Sequence, residues 1–277
     1  MKDTSINIAE IFGDCVQGEG VTAGVPAVFI RAAGCNLACG GHNASLVGKE
    51  GADGELCTWW CDSEPVWRKG RKWTFDEVYG YLTEIGELKN IMTGTTHIVF
   101  TGGEPLLQAN ARAFRKLMEF MIIKWRASLP VNASWSTPYV EIETNGTVYN
   151  DEARKLIQRP YVRQINCSPK LANSGEPLHK RVVPDALDLI RSISNKNYWW
   201  KFVVSEKADW DRIMEDYAYL FKDCKRQESL NILLMPAGST SEELNRTAKL
   251  VWQMAVDNNV RYTDRLQVRV WEMATGK

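Results

Sequence analysis

From about residue 95 the chain alternates short apolar runs with longer amphipathic segments, and this alternation limits the fold more than any other feature. THIVF, YVEIETNGT, VRQINCSPK, YWWKFVVS and NILLMP are rich in β-branched and aromatic residues and are bounded by Gly, Pro or polar turns, the pattern of buried strands. Between them ANARAFRKLMEFMIIKW, DEARKLIQ, PDALDLIRSI, DWDRIMEDYAYLF and SEELNRTAKLVWQMAV carry helical spacing. RLQVRVW is predicted to be a last strand. Nearer the start, VPAVFIRAAG is predicted to be a strand opening into a cysteine-rich segment, with FDEVYGYLTEIG a helix after it. Strands that alternate with helices predict an α/β fold, a parallel sheet with helices outside. A complete or partial barrel of this kind keeps its functional loops at strand C-termini. Cys35, Thr101-Gly102-Gly103, Glu143-Thr144-Asn145 and Ser168-Pro169-Lys170 all follow predicted strands.

The 277 residues are 44% hydrophobic, enough for a substantial core. No repeat or clear linker divides them, so residues 1–277 read as a single domain. A Gly-rich polar stretch at about 40–58 reads as an inserted loop. Lys plus Arg equals Asp plus Glu at 34 each, which gives no reason to expect a nucleic-acid or membrane-surface partner. No apolar run approaches the length of a membrane span. MKDTSINIAEIFGD lacks the basic flank and apolar stretch of a signal peptide. The expected location is the cytoplasm.

Seven cysteines are present, Cys15, Cys35, Cys39, Cys57, Cys61, Cys167 and Cys224, four of them between positions 35 and 61. In a long chain without a leader such a cluster points to metal or redox chemistry rather than disulfides. Cys35 and Cys39 are separated by three residues, as are Cys57 and Cys61. Thiolates suit iron-sulfur clusters and zinc alike. Four would close a structural zinc site, whereas three would leave one iron of a 4Fe-4S cluster open to a ligand. Spacing alone does not choose between them.

GDCVQGEG, VPAVFIRAAGCNLAC, WCDSE, TGGEP, ETNGT and SPK occur in this order. Together they resemble the 7-carboxy-7-deazaguanine synthase family of radical S-adenosylmethionine enzymes, from about residue 8 to 238. The resemblance implies a partial (β/α) barrel of the radical S-adenosylmethionine type. It implies a 4Fe-4S cluster on Cys35, Cys39 and Cys61, with Cys57 the alternative to Cys39, because the family's second gap is two residues and neither choice reproduces it. The open iron would chelate S-adenosylmethionine, whose one-electron cleavage gives a 5′-deoxyadenosyl radical. The reaction implied is a lyase step, 6-carboxy-5,6,7,8-tetrahydropterin to 7-carboxy-7-deazaguanine with loss of ammonia, in queuosine and deazapurine biosynthesis.

By the same resemblance, Trp60, Asp62, Gly103, Ser168, Pro169, Lys170 and Lys201-Phe202-Val203-Val204 would bind the cofactor. Val16, Gln17, Gly18, Arg31 and Thr101 would bind substrate, with Arg31 a two-pronged donor to its carboxylate. Glu19 and Glu143 are candidates for the pterin edge and for proton handling; a carboxylate within an apolar strand needs a partner. Ser63 stands where the family binds Mg2+ through a threonine, and a hydroxyl is an adequate oxygen ligand. An electron donor such as flavodoxin or ferredoxin and a homodimer are also implied. The ending VRVWEMATGK departs from a family pattern with a His-Lys pair, which leaves one substrate contact unassigned. Two other readings stay open: a related radical enzyme such as a glycyl-radical activase, and a zinc-stabilised protein without catalysis.

Overall fold

The computed structural model describes residues 4–134, 136–192, 197–221 and 230–272. Cys224, Ile193 at the end of the PDALDLIRSI segment, and residues 273–277 lie outside them. Among the described residues one sheet holds nine strands: β1 (Ser5–Val16), β2 (Pro26–Ala32), β3 (Arg71–Thr74), β4 (His97–Gly102), β5 (Val140–Thr144), β6 (Val162–Cys167), β7 (Asn197–Val204), β8 (Ile232–Pro236) and β9 (Arg261–Tyr262). Their order is β3-β1-β2-β4-β5-β6-β7-β8-β9. From β2 through β9 neighbours pair in parallel, while β1 is antiparallel to both β2 and β3. The α/β reading therefore holds. The sheet ends at β3 and β9, as a partial barrel requires.

Eleven α-helices lie among the described residues: α1 (Glu64–Trp67), α2 (Phe75–Glu84), α3 (Leu88–Thr93), α4 (Gln108–Ser128), α5 (Asp151–Ile157), α6 (Leu178–Arg181), α7 (Pro184–Arg191), α8 (Ala208–Asp216), α9 (Ala218–Phe221), α10 (Ser241–Asp257) and α11 (Leu266–Trp271). Their starts are written in the sequence. Thr74 and Glu77 exchange side chain and backbone bonds in a capping box at α2. Asn150 and Thr240 cap α5 and α10.

Alternation along each strand divides the sheet into two chemically different faces. Ile98 and Phe100 of β4, Ile142 of β5, Ile165 of β6, Trp200 and Phe202 of β7 and Leu234 of β8 join Phe114 and Leu117 of α4 in one apolar core. Phe100 stacks on Phe114 at 4.1 Å between ring centroids. The opposite, inner face carries a small apolar cluster of Ala27, Phe29 and Val99, and Leu233 and Met235 of β8 alternate onto it. Between them it is buried and polar: His97, Thr101, Glu141, Gln164, Asn166 and Lys201. A buried polar face is costly unless every group is paired, so this is where chemistry is to be sought.

Three elements differ from the sequence expectation. RLQVRVW is not a strand: Leu266–Trp271 is a helix, and the last strand is the two-residue β9 before it. Four alternating residues fit either period, and only Val268 of this helix is buried. DWDRIMEDYAYLF breaks into α8 and α9 at Tyr217, whose buried hydroxyl donates to the Lys170 carbonyl at 2.8 Å. The long strand β1 had no expectation attached; its bulges and the left-handed Asp14 blur its alternation.

Because Phe114 is fully buried in the core, Phe114→Ala should lower the unfolding free energy by about 3–5 kcal/mol. Urea denaturation of the purified protein checks this.

Candidate active site

The loops leaving β2, β4, β5, β6 and β7 at their C-terminal ends meet the loop after β1 and the C-terminal segment. The cysteine segment follows β2. Cys35, Cys39 and Cys61 each lie within the field of the others and of Lys170. The Cys61 N–H donates to the Cys39 carbonyl at 3.2 Å. Burial pushes the Cys35 thiol up to about 12, and the Cys39 and Cys61 thiols also go up through burial. Such thiols ionise when a metal supplies positive charge. Among the described residues no three His, Cys, Asp or Glu side chains close on a single ion.

Cys57 lies apart. It is fully buried, its thiol donates to the Trp59 carbonyl at 3.5 Å, and it packs beside Gly175. It belongs to the 40–58 loop, which is pinned by Asp53–Arg181 at 3.2 Å and Glu55–Arg212 at 2.7 Å. Within the cysteine segment, Glu64 is the brace. It is buried, accepts from Trp60 Nε1 at 2.5 Å, Arg68 Nε at 2.7 Å and the Asn43 N–H at 3.2 Å, and also pairs with His42. Burial would raise its carboxyl, but these donors outweigh it and hold it down at about 2. A cavity of about 460 Å³ opens beside this brace, lined by Cys35, Asn36, Leu37, His42, Arg68 and Lys180 among others.

The glycine turn after β4 presses on the cysteine loop. A Cβ at Gly103 would lie 2.2 Å from the Gly34 carbonyl oxygen, so only glycine fits. Glu104, fully buried, ties this turn to the next: it accepts from Leu106 N, Thr144 Oγ1 and Asn145 N, each at 2.8 Å. Burial pushes Glu104 up to about 7 although these three donors pull the other way. Asn145 Nδ2 then reaches the Cys35 sulfur at 3.8 Å.

The second half of the site is a charge network. Glu19, in the loop after β1, pairs with Lys201 of β7 and accepts from Arg265 Nε at 3.0 Å and Gln267 Nε2 at 2.7 Å. Burial alone would raise the Glu19 carboxyl, but Lys201 and Arg265 override it and hold it well below the usual range. Arg265 also donates to Asp62 at 2.8 Å, next to Cys61. One arginine thus links the glutamate loop to the cysteine segment. Gln17 donates to Glu143 at 3.2 Å and to Glu141 at 3.4 Å. Arg31 donates to Glu10 at 2.7 Å and sits in register with the buried Thr101.

The sequence-derived candidates therefore fall into groups. Gln17, Glu19, Glu143, Lys201 and Asp62 join one network. Gly18 packs so closely on Gln267 that a Cβ would meet its Oε1 at 1.9 Å. Lys170 donates to Ser168 at 3.1 Å and lies 5.6 Å over the Trp59 ring, and Pro169 between them is buried. Ser63 is half-buried and donates to the exposed Asp62 at 3.1 Å. Val16 is 45% exposed at the end of β1. Phe202 and Val204 have their side chains in the apolar core on the other face, so of these four candidates only Lys201 and Val203 alternate inward.

Sequence reading missed Glu141, Glu104, Arg265 and Gln267. Glu141 was detectable, since it stands two residues before Glu143 and strand alternation puts both on one face. Arg265 and Gln267 were hidden by reading their segment as a strand.

No protein-family model matches the chain. Curated relatives span it almost completely. The 7-carboxy-7-deazaguanine synthase of Halobacterium salinarum is 28% identical, covering 98% of this chain and 92% of its own length. That of Pyrobaculum aerophilum is 26% identical over 98% and 97%, and that of Aquifex aeolicus 27% identical over 90% and 85%. Among solved structures, that of QueE from Escherichia coli shares the fold, with a TM-score of 0.56, 22% identity and coverage of 95% and 94%.

Stability should follow the charge network with pH. Glu19 has a depressed carboxyl, so its contribution is full above the ordinary glutamate value of about 4.3 and declines as pH falls below it. Glu19→Gln, which strands Lys201, should cost about 3 kcal/mol at pH 7, and the gap from the unchanged protein should narrow below about pH 4. Denaturation at several pH values reads this out. In motif order, in length and in fold, the chain is a relative of the 7-carboxy-7-deazaguanine synthases.

Proposed function

We propose that the chain converts 6-carboxy-5,6,7,8-tetrahydropterin to 7-carboxy-7-deazaguanine with loss of ammonia, as a radical S-adenosylmethionine lyase of deazapurine biosynthesis. The observation that carries this is the meeting of two sites on the inner face of the sheet. The Cys35–Cys39–Cys61 loop is joined through Asp62 and Arg265 to the buried Glu19–Lys201 pair. A metal-bearing loop next to a socket of paired charges is what a radical acting on a polar, carboxylated ring requires.

Cys35, Cys39 and Cys61 would hold the cluster, and Gly103, Trp60 and the Ser168-Pro169-Lys170 loop would flank S-adenosylmethionine. When bound, this pair supplies a carbon-centred radical from one electron. The protein's own work is positioning. Gly103 lets the glycine turn approach the cysteine loop without a clash. Lys170 supplies positive charge beside the thiolates. Glu19 and Glu143, with Gln17 between them, offer acceptors to the amine-bearing edge of the pterin. Arg31 matches a carboxylate in charge and geometry, and Thr101 beside it is in reach of the same ring. Lys201 and Arg265 keep Glu19 ionised, so it accepts rather than donates.

Ser63, with Asp62, offers oxygens of the kind Mg2+ prefers, and we assign a magnesium ion there. A one-electron donor such as flavodoxin or ferredoxin and a homodimeric assembly complete the reading. Among the described residues no helix is long and apolar enough to cross a membrane, in keeping with a cytoplasmic place.

Anaerobic reconstitution tests the assignment. Protein with iron and sulfide, given the pterin, S-adenosylmethionine and a reductant, should form 7-carboxy-7-deazaguanine. Cys39→Ala should lose the cluster absorbance and Cys57→Ala should keep it; the reverse would move the second ligand to Cys57. Stoichiometric zinc without iron, and no cleavage of S-adenosylmethionine, would favour a binding protein instead.

A further inference from the structure

Glu141 touches Gln17 in the site but has no role in the function proposed above, yet it is the most heavily bonded carboxylate of the inner face. Its side chain is fully buried on β5, in the middle of the sheet. It accepts from His97 Nδ1 of β4 at 2.5 Å and from Asn166 Nδ2 of β6 at 3.0 Å. It also accepts from two residues of the loop after β1, Thr22 Oγ1 at 2.9 Å and Gln17 Nε2 at 3.4 Å. His97 is itself fixed by stacking on Tyr139 at 3.8 Å. Asn166 is fixed by Gln164, which donates to it at 2.8 Å.

An anionic side chain in this place is not needed for packing. Apolar residues of the same volume would fill the sheet at no desolvation cost. What the carboxylate supplies is four acceptor positions aimed at chosen donors. Two of those donors bracket Glu19: Gln17 stands two residues before it and Thr22 three after it. The loop's own closure, Gln17 N to Val25 O and Gly24 N to Gln17 O, both at 2.8 Å, fixes its neck but not its place over the sheet. Glu19 ties the loop to β7 and to the segment before α11; Glu141 ties it to the middle of the sheet, from the strand that also carries Glu143. The Gln17 amide is caught between these two carboxylates, with its own oxygen accepting from the Glu19 N–H at 3.2 Å.

We infer that Glu141 is a positioning residue for the substrate: it anchors the loop of residues 17–25 to the sheet so that Gln17, Glu19 and Glu143 are held in one arrangement before the pterin arrives. This rests on the reading of that loop as the pterin-recognition loop. Pre-ordering reduces the conformational cost of binding, so the effect belongs to affinity rather than to the radical step.

Two substitutions separate this role from a plain structural one. Glu141→Leu removes all four acceptors. Glu141→Gln keeps an oxygen for Gln17, Thr22 and Asn166, while its amide nitrogen can donate to His97 in the other tautomer. With reconstituted holoenzyme, Glu141→Leu should weaken pterin binding by about tenfold, the loss of one or two net hydrogen bonds, with amides of residues 17–25 exchanging faster. Glu141→Gln should restore affinity to within about threefold and restore slow exchange. Iron and sulfide content should match the unchanged protein in both.

Wild-type affinity in Glu141→Leu, or loop exchange no faster than in the unchanged protein, overturns the inference. If Glu141→Leu does not fold, Thr22→Val decides: faster exchange in the loop and weaker pterin binding support the inference, and unchanged values overturn it. Failure of the unchanged protein to bind the pterin would sink the functional reading alone. Hydrogen exchange, which needs no substrate, would then still judge whether Glu141 anchors the loop.

Discussion

The buried Glu19 carboxylate, neutralised by Lys201 and Arg265, is the interaction on which the rest of the site depends. Three distant parts of the chain meet there: the loop after β1, the middle of β7 and the segment that leads into α11. None of these charges is tolerable alone in a buried place, since removing one partner leaves the other unpaired. The network therefore requires all three segments to be docked at once. Through Arg265 and Asp62 it extends to the cysteine loop. A sheet whose strands are set by apolar packing on one face thus has its functional loops set by charge on the other.

The two faces divide the labour. The helix-side face contributes stability through non-directional apolar burial. The inner face contributes little of that; its groups are paired among themselves, and their pairing fixes direction. Glu104 does this for the turns after β4 and β5, Glu64 for the cysteine segment, and Glu19 for the loop after β1. Each is a carboxylate accepting several donors from different segments, and a multiply bonded acceptor holds loops in place without regular structure.

The parallel strands were legible because β4 through β8 are short runs rich in β-branched and aromatic residues that end in turn residues, with helical segments between them. The strand β1 was not, because its twelve residues are mostly half-exposed and its alternation is interrupted. The C-terminal RLQVRVW misled because its short alternation has no tertiary partner in the sequence to fix its period; only the folded chain reveals Glu19 as the partner of Arg265 and Gln267. The cysteine loop, the glycine turn and the glutamate loop were legible as local motifs. Long-range pairs such as Glu141 with Thr22 were not, for nothing in either segment names the other.

The irregular cysteine spacing has a simple topological meaning. The Cys61 N–H meets the Cys39 carbonyl, so the polypeptide leaves the thiol-bearing segment and comes back to nearly the same spot. Everything between is an excursion with a closed neck. An excursion of that form can lengthen, shorten or be exchanged over generations without disturbing the sulfurs at either side of the neck, which makes the distance between these two cysteines along the chain a poor guide to their distance in space.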